Sequence, residues 1–150
     1  MHEKMLACLD GSELSEEILP YALEQAKRFG SKVVLLRTIT DVPIYTSPGD
    51  PQVVVEELDR IPRAKREAEA YLDSKAKPFR DAGLQVECVV EEGSPEEMIV
   101  RHAEENGVNL IALATHGTGG LGRALLGSVA DHVLRHSHVP ILCVRPRDGD

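Results

Sequence analysis

Glycines crowd one stretch of this chain. Ala114 to Arg123 reads Ala-Thr-His-Gly-Thr-Gly-Gly-Leu-Gly-Arg, and Gly117, Gly119 and Gly122 are spaced as G-x-G-x-x-G. Without side chains in the way, backbone N–H groups there can turn toward phosphate oxygens and approach them closely. The run follows an apolar segment, Val108 to Ala114, and precedes a segment of helical pattern. That is the context in which such glycines hold a phosphate, helped by the positive end of the helix. A dinucleotide site is opposed on two counts. The motif falls in the last unit of the chain rather than the first, and the next strand ends in Arg145-Pro146-Arg147 where an acidic ribose ligand belongs. A Walker A loop is excluded, because no Gly-Lys-Ser/Thr follows. A flexible glycine loop without a ligand accounts for the same glycines equally well.

The elements that must position this loop alternate between two periods. Apolar runs at Lys4 to Leu9, Val33 to Leu36, Leu84 to Val90, Val108 to Ala114 and Val139 to Val144 read as five strands. Between the first two, Leu14, Ile18, Leu19, Ala22, Leu23 and Ala26 share a helical face that ends near Gly30; Pro20 predicts a kink or an irregular first turn. Asp41 to Gln52 reads as a long loop, with Val53-Val54-Val55 as a short apolar patch or turn of helix. Ala64 to Arg80 is a helix stopped by Gly83. Ser94-Pro95-Glu96-Glu97 opens another, with Ser94 as cap and Glu97 completing a capping box, and Asn106-Gly107 ends it. Helical periodicity also runs from about Leu121 to His136.

Strands separated by helices imply βαβ units and an α/β fold: an open five-stranded parallel sheet with helices on both faces, Rossmann-like, in a single domain over 1–150. Ligands on such sheets sit at the carboxyl ends of the strands. The functional search reduces to the loops at Asp10-Gly11-Ser12, Thr38 to Asp41, Glu91 to Ser94 and Thr115 to Arg123.

Composition narrows the ligand. The chain has 150 residues, a formal net charge of -8 and 3% aromatic residues. A phosphate-backbone binder needs positive charge and a single-strand binder needs exposed rings, so nucleic acid is disfavoured. A helix N-terminus can still hold a phosphate within an acidic protein. Cys8, Cys88 and Cys143 form no metal or redox spacing and fit thiols in a reducing compartment, Cys8 and Cys143 on central strands. No apolar stretch approaches the roughly 20 residues that span a bilayer, and the N-terminus lacks a signal-peptide pattern. The expectation is a cytoplasmic protein with no membrane partner.

A second spacing points further. Gly117, nine intervening residues and Gly127-Ser128 resemble the nucleotide-binding signature of the universal stress protein family, G-x-x-G, nine residues, then Gly followed by Ser or Thr. Thr115-His116-Gly117, Leu125 to Ala130, Val139 to Val144 and Asp10-Gly11-Ser12 carry the resemblance along nearly the whole chain. It implies a five-stranded α/β protein, often a homodimer, in the branch that binds ATP, alone or with Mg2+. It also implies the contacts. Asp10, with Cys8 and Leu9 before it, lies at the base and ribose end, as do Thr38 and Leu113. Ala114 stands where the signature has its first glycine, so a methyl group replaces a hydrogen there. Gly117, Gly127, Ser128 and Val129 surround the phosphates, and Arg123 could add charge or be a solvated loop residue. The family pairs its last strands, here Val139 to Val144.

The spacing has a consequence of its own. Gly127 and Ser128 can offer N–H groups to a phosphate only if the helix begins near Ser128, with Ser128 as its N-cap and Thr118 to Leu126 irregular. Elsewhere, bland roles prevail. His132 and His136 share a helix face and suit a dipole-complementing role more than a metal. Glu91-Glu92 suits solvated charge, and Asp10 could equally cap the helix after it. Three functions remain open: a nucleotide-responsive stress or signalling module, a slow ATP hydrolase or phosphoryl-transfer enzyme, and an ATP-free dimer acting through a protein partner. No lysine of Walker type, second acidic ligand or base is evident, which favours binding over turnover.

Overall fold

In the computed structural model, residues 3–40, 51–115 and 127–146 are described, those at 51–57 by their backbone alone. Five strands pair in parallel in the order β3-β2-β1-β4-β5: β1 Lys4–Cys8, β2 Lys32–Ile39, β3 Val86–Glu92, β4 Leu110–Ala114 and β5 Ile141–Val144. The helices are α1 Glu13–Glu16, α2 Ile18–Phe29, α3 Pro51–Asp81, α4 Pro95–Glu105 and α5 Ser128–His136. The expected sheet is therefore present.

The side-chain alternation of the strands builds two cores from one sheet. Met5 and Ala7 of β1, with Val33 and Leu35 of β2, pack against Ile18, Ala22 and Ala26 of α2 and Leu72, Ala76 and Phe79 of α3. Leu6, Cys8, Val34, Leu36, Ile111 and Leu113 face the other way, toward Ile99 and Ala103 of α4 and Ala130 and Val133 of α5. Covered on both faces, β1 and the middle of β2 read as unbroken apolar runs; the edge strands β3 and β5 are only half buried. Cys143 therefore lies on an edge strand, not a central one. Cys8 does sit centrally, and burial pushes its thiol up to about 12.

Prolines explain where helices depart from expectation. The first helical segment is split: α1 ends at Glu16 and α2 restarts at Ile18, with Glu17 between them, so Pro20 falls in a first turn, where N–H groups have no helix partner anyway. The irregular start predicted from Pro20 is present. α3 starts at Pro51, well before Ala64, and runs through both Pro62 and Pro78. Each proline removes one helical bond, but Leu72, Ala76 and Phe79 anchor the helix on the sheet. Of the expected loop, Pro51 and Gln52 are helical, and 41–50 lie outside the described residues. The last strand begins at Ile141, two residues later than expected. Ser94 precedes α4 with extended backbone, and Pro95 opens it, yet the Ser94 side chain makes no capping bond.

Among the described residues, no helix is long and apolar enough to cross a membrane. Phe79, 1% exposed, is the largest side chain fully buried between α3 and the sheet. Phe79→Ala is expected to cost about 3–5 kcal/mol of stability, read from the urea midpoint at constant slope.

Candidate functional site

Strand order reverses between β1 and β4: the chain moves outward through β2 and β3, then returns to the other side of β1. At that point the carboxyl ends of β1, β2 and β4 open onto a cavity of about 320 Å³. It lies mainly on the face covered by α4 and α5, whose core includes Cys8, Leu36 and Leu113 on its wall, and Leu9 and Ala114 of the other core reach it at the strand ends.

The loop after β1 supplies the acidic wall. Asp10 is exposed, and its Oδ1 accepts from the Ser12 backbone N–H at 2.8 Å and from the Ser12 hydroxyl. Ser12 is the N-cap of α1, its oxygen accepting from Ser15 N–H at 3.1 Å. The capping role considered for Asp10 thus falls to Ser12, and Asp10 orients the cap. Gly11 bends this loop with φ of 89°, and a methyl group there would come within 2.8 Å of the Arg37 guanidinium. Arg37 lies over the Tyr71 ring, 4.8 Å from its centroid, and the Tyr71 hydroxyl donates to Glu16 at 3.0 Å. Lys75 completes the cluster, 2.6 Å from Glu16. Burial, reinforced by the bond to Glu16, raises the pKa of the Tyr71 phenol and keeps it protonated. One chain of contacts therefore ties the Asp10 loop to β2, α1 and α3.

The opposite wall is the start of α5. The helix begins at Ser128, as the glycine spacing requires, but the N-cap is Gly127 and Ser128 is the first helical residue. The residue whose carbonyl accepts the first helical bond is Gly127, from Asp131 N–H at 2.9 Å. The N–H groups of Ser128, Val129 and Ala130 precede that bond and have no helix partner, and among the described residues no side chain caps them.

The cavity gathers Cys8, Leu9, Asp10, Thr38, Leu113, Ala114, Gly127 and Val129 of the sequence-derived set. Ser128 is exposed and is not part of its wall. Gly117, Arg123, His116 and the expected irregular stretch Thr118 to Leu126 lie outside the described residues. The sequence reading missed Ser12, Leu14, Ser15, Leu36, Thr40, Pro95, Ile99, Thr115 and Ala130 as lining residues. Ser12, Thr40 and Thr115 belong to the strand-end loops it had singled out, and the others to the elements that flank them. Their signal was position in the fold rather than residue type.

Chemically, the walls are apolar at Leu36, Ile99, Leu113 and Val129, with hydroxyls from Ser12, Thr38, Thr40 and Thr115, one carboxylate from Asp10, and helix amides at one end. That suits a ligand with a flat apolar part and an anionic end. Among the described residues, no three His, Cys, Asp or Glu side chains converge on a possible metal position. His132 and His136 stack on each other, with centroids 4.1 Å apart, near the end of α5.

Residues 1–145 match the model of the universal stress protein family. Universal stress protein YxiE of Bacillus subtilis is 33% identical, over 97% of this chain and 100% of the relative. Universal stress protein MJ0577 of Methanocaldococcus jannaschii is 30% identical, over 99% of this chain and 98% of the relative. The solved structure of MJ0577 superposes with a TM-score of 0.78, covering 99% of both chains at 31% identity. An Arabidopsis thaliana universal stress protein family protein, solved with AMP bound, has a TM-score of 0.64 at 19% identity over 99% of this chain and 93% of its own.

The Asp10 loop is expected to depend on Gly11 for two reasons, backbone hand and the packed Arg37. Gly11→Ala should cost about 1–3 kcal/mol, more than Gly30→Ala, whose φ of 64° has the same hand but whose added methyl meets open space. Urea midpoints of the two variants check the order, and equal midpoints count against Arg37 holding the loop.

Proposed function

The chain belongs to the universal stress protein family, and on that premise we propose that it binds ATP as a nucleotide-responsive stress or signalling module acting as a homodimer. The observation that carries this reading is the pairing, in one cavity, of an apolar strand-end wall with the uncapped start of α5. The adenosine lies along the ends of β1, β2 and β4, with Asp10 accepting from a ribose hydroxyl. The phosphates run toward Gly127, Val129 and the glycine loop that contains Gly117, with Ser128 at the rim and Arg123 as an added cation.

Electrostatics favour that direction over its reverse. Of the other two helix starts at the cavity, that of α1 is capped by Ser12 with Glu13 and Glu16 in its first turn, and that of α4 has Pro95 in place of a donor and Glu96 and Glu97 in its first turn. Both repel an anion. α5 has Gly127 at its cap and one acidic residue in its first turn, Asp131, whose charge is engaged by Arg135 at 3.0 Å. The helix field and free amides therefore attract phosphate there. Ala114 places its methyl at the strand end, on the cavity wall rather than at the helix start.

MJ0577 and YxiE support membership across the full length of the domain, and the AMP-bound Arabidopsis protein adds that this fold can hold an adenine nucleotide. Binding is favoured over turnover. The described cavity wall has one carboxylate and no lysine, whereas phosphoryl transfer needs positioned metal ligands and a group that orients the nucleophile. Mg2+ would be held chiefly by the phosphates, with Asp10 the carboxylate at hand. For assembly, β5 is an apolar edge strand with unpaired backbone on one side among the described residues. Such an edge recruits another strand, here the 139–144 segment of a second copy.

Calorimetric titration with ATP should give saturable binding, weakened about tenfold or more by Asp10→Ala; no heat of binding to freshly purified, nucleotide-stripped protein would sink the proposal. Sedimentation equilibrium at micromolar concentration should return twice the chain mass, and a monomer there would remove the edge-strand dimer.

A further inference from the structure

We infer that Tyr71 is a positioning residue for the nucleotide site. From α3, on the face of the sheet opposite most of the cavity, its ring seats Arg37 against the turn that carries Asp10; this role rests on the nucleotide reading above. On β2, Leu36 and Thr38 line the cavity, so strand alternation turns Arg37 to the other face, the one shared by Val33 and Leu35. A cation on the covered face of an interior strand is costly, and an apolar side chain would serve the packing there as well. What Arg37 gains is contact with two neighbours. Its guanidinium lies over the Tyr71 ring, 4.8 Å from the centroid, and it abuts Gly11, where an added methyl would come within 2.8 Å of it.

These contacts close into a ring. Asp10 accepts from the Ser12 N–H, Ser12 caps α1, and α1 carries Glu16. Glu16 accepts from the Tyr71 hydroxyl at 3.0 Å, Tyr71 holds Arg37, and Arg37 returns to Gly11, between Asp10 and Ser12. Tyr71 is the member that α3 supplies. Lys75, 2.6 Å from Glu16 and 5.6 Å from the same ring centroid, secures it there. In a closed ring no member shifts without straining the contacts on both sides of it. The Asp10 turn needs that restraint, because it is exposed and hinges on a glycine, the residue with the freest backbone. A carboxylate that meets a ribose hydroxyl binds more tightly when it is already in place, since ordering it at binding costs affinity.

The test titrates ATP and dideoxy-ATP, which lacks both ribose hydroxyls, into wild type, Tyr71→Leu, Tyr71→Phe and Arg37→Lys, and repeats ATP with Tyr71→Leu on an Asp10→Ala background. Tyr71→Leu should weaken ATP about tenfold, leave dideoxy-ATP unchanged, and add nothing once Asp10 is gone. Arg37→Lys keeps the charge without the planar stack, and it should show the same selective loss even if the leucine variant does not fold. Tyr71→Phe keeps the ring and should stay within about threefold of wild type. A merely structural role would weaken both nucleotides alike. Three results would overturn the positioning role: unaltered ATP affinity in folded Tyr71→Leu or in Arg37→Lys, equal losses for the two nucleotides, or a loss from Tyr71→Leu that persists in full without Asp10. Wild-type protein that binds neither nucleotide overturns the nucleotide reading and the role together; wild-type binding with unaffected Tyr71 and Arg37 variants overturns the role alone.

Discussion

Everything at the site follows from one constraint: a parallel sheet covered on both faces. Parallel strands cannot be joined by tight turns, so each connection must cross over the sheet, and the crossovers bury both faces. All five strands then end on the same side of the molecule. With β1 in the middle, the chain fills one half of the sheet and then the other, and the connections leave β1 and β4 in opposite directions. The gap between them cannot be covered by a crossover. The cavity is that gap, and its walls are whatever the sequence places after each strand.

The two sides of the cavity are held by different physics. The α5 side is held by apolar packing, with Ala130 and Val133 seated on Ile111 and Leu113. That packing fixes where the helix starts, and the start fixes where the unpaired amides point. The Asp10 side is held by polar and cation–π contacts, from Ser12 and Ser15 around the carboxylate to Arg37 on Tyr71 and Tyr71 on Glu16. Such contacts are directional but individually weak. The Asp10 loop is thus coupled to α3, which begins directly after the 41–50 segment, and the α5 wall is anchored in the core.

The sheet was legible because buried strands leave continuous apolar runs, and Val33 to Leu36 or Leu110 to Leu113 could hardly be anything else. The start of α5 was legible for another reason: amides can reach a phosphate only from a helix N-terminus, so Gly127-Ser128 fixed the boundary where periodicity suggested a longer helix. What escaped was set by tertiary context. The helix expected from Ala64 starts at Pro51, because a helix pinned by Leu72, Ala76 and Phe79 tolerates the bond lost at Pro62. Ser94 had the residue type of a cap without forming the bond. Cys143 looked central because strand order cannot be read from strand pattern. Thr115 was read only as the first residue of the glycine loop, and its near-complete burial on the cavity wall is a property of the fold.

The sheet's two edges are not alike. β3 carries Glu87, Glu91 and Glu92, with Glu87 and Glu92 exposed and Lys32 3.4 Å from Glu87, while β5 is Ile-Leu-Cys-Val without a charge. Charged side chains on an edge discourage further pairing, so the molecule is open for strand addition at one end only. A sheet that can grow from both ends polymerises; one that can grow from a single end is consumed by its first pairing. The acidity of β3 therefore acts as a terminator, limiting any assembly built on β5 to a closed pair and keeping this parallel sheet out of fibrils.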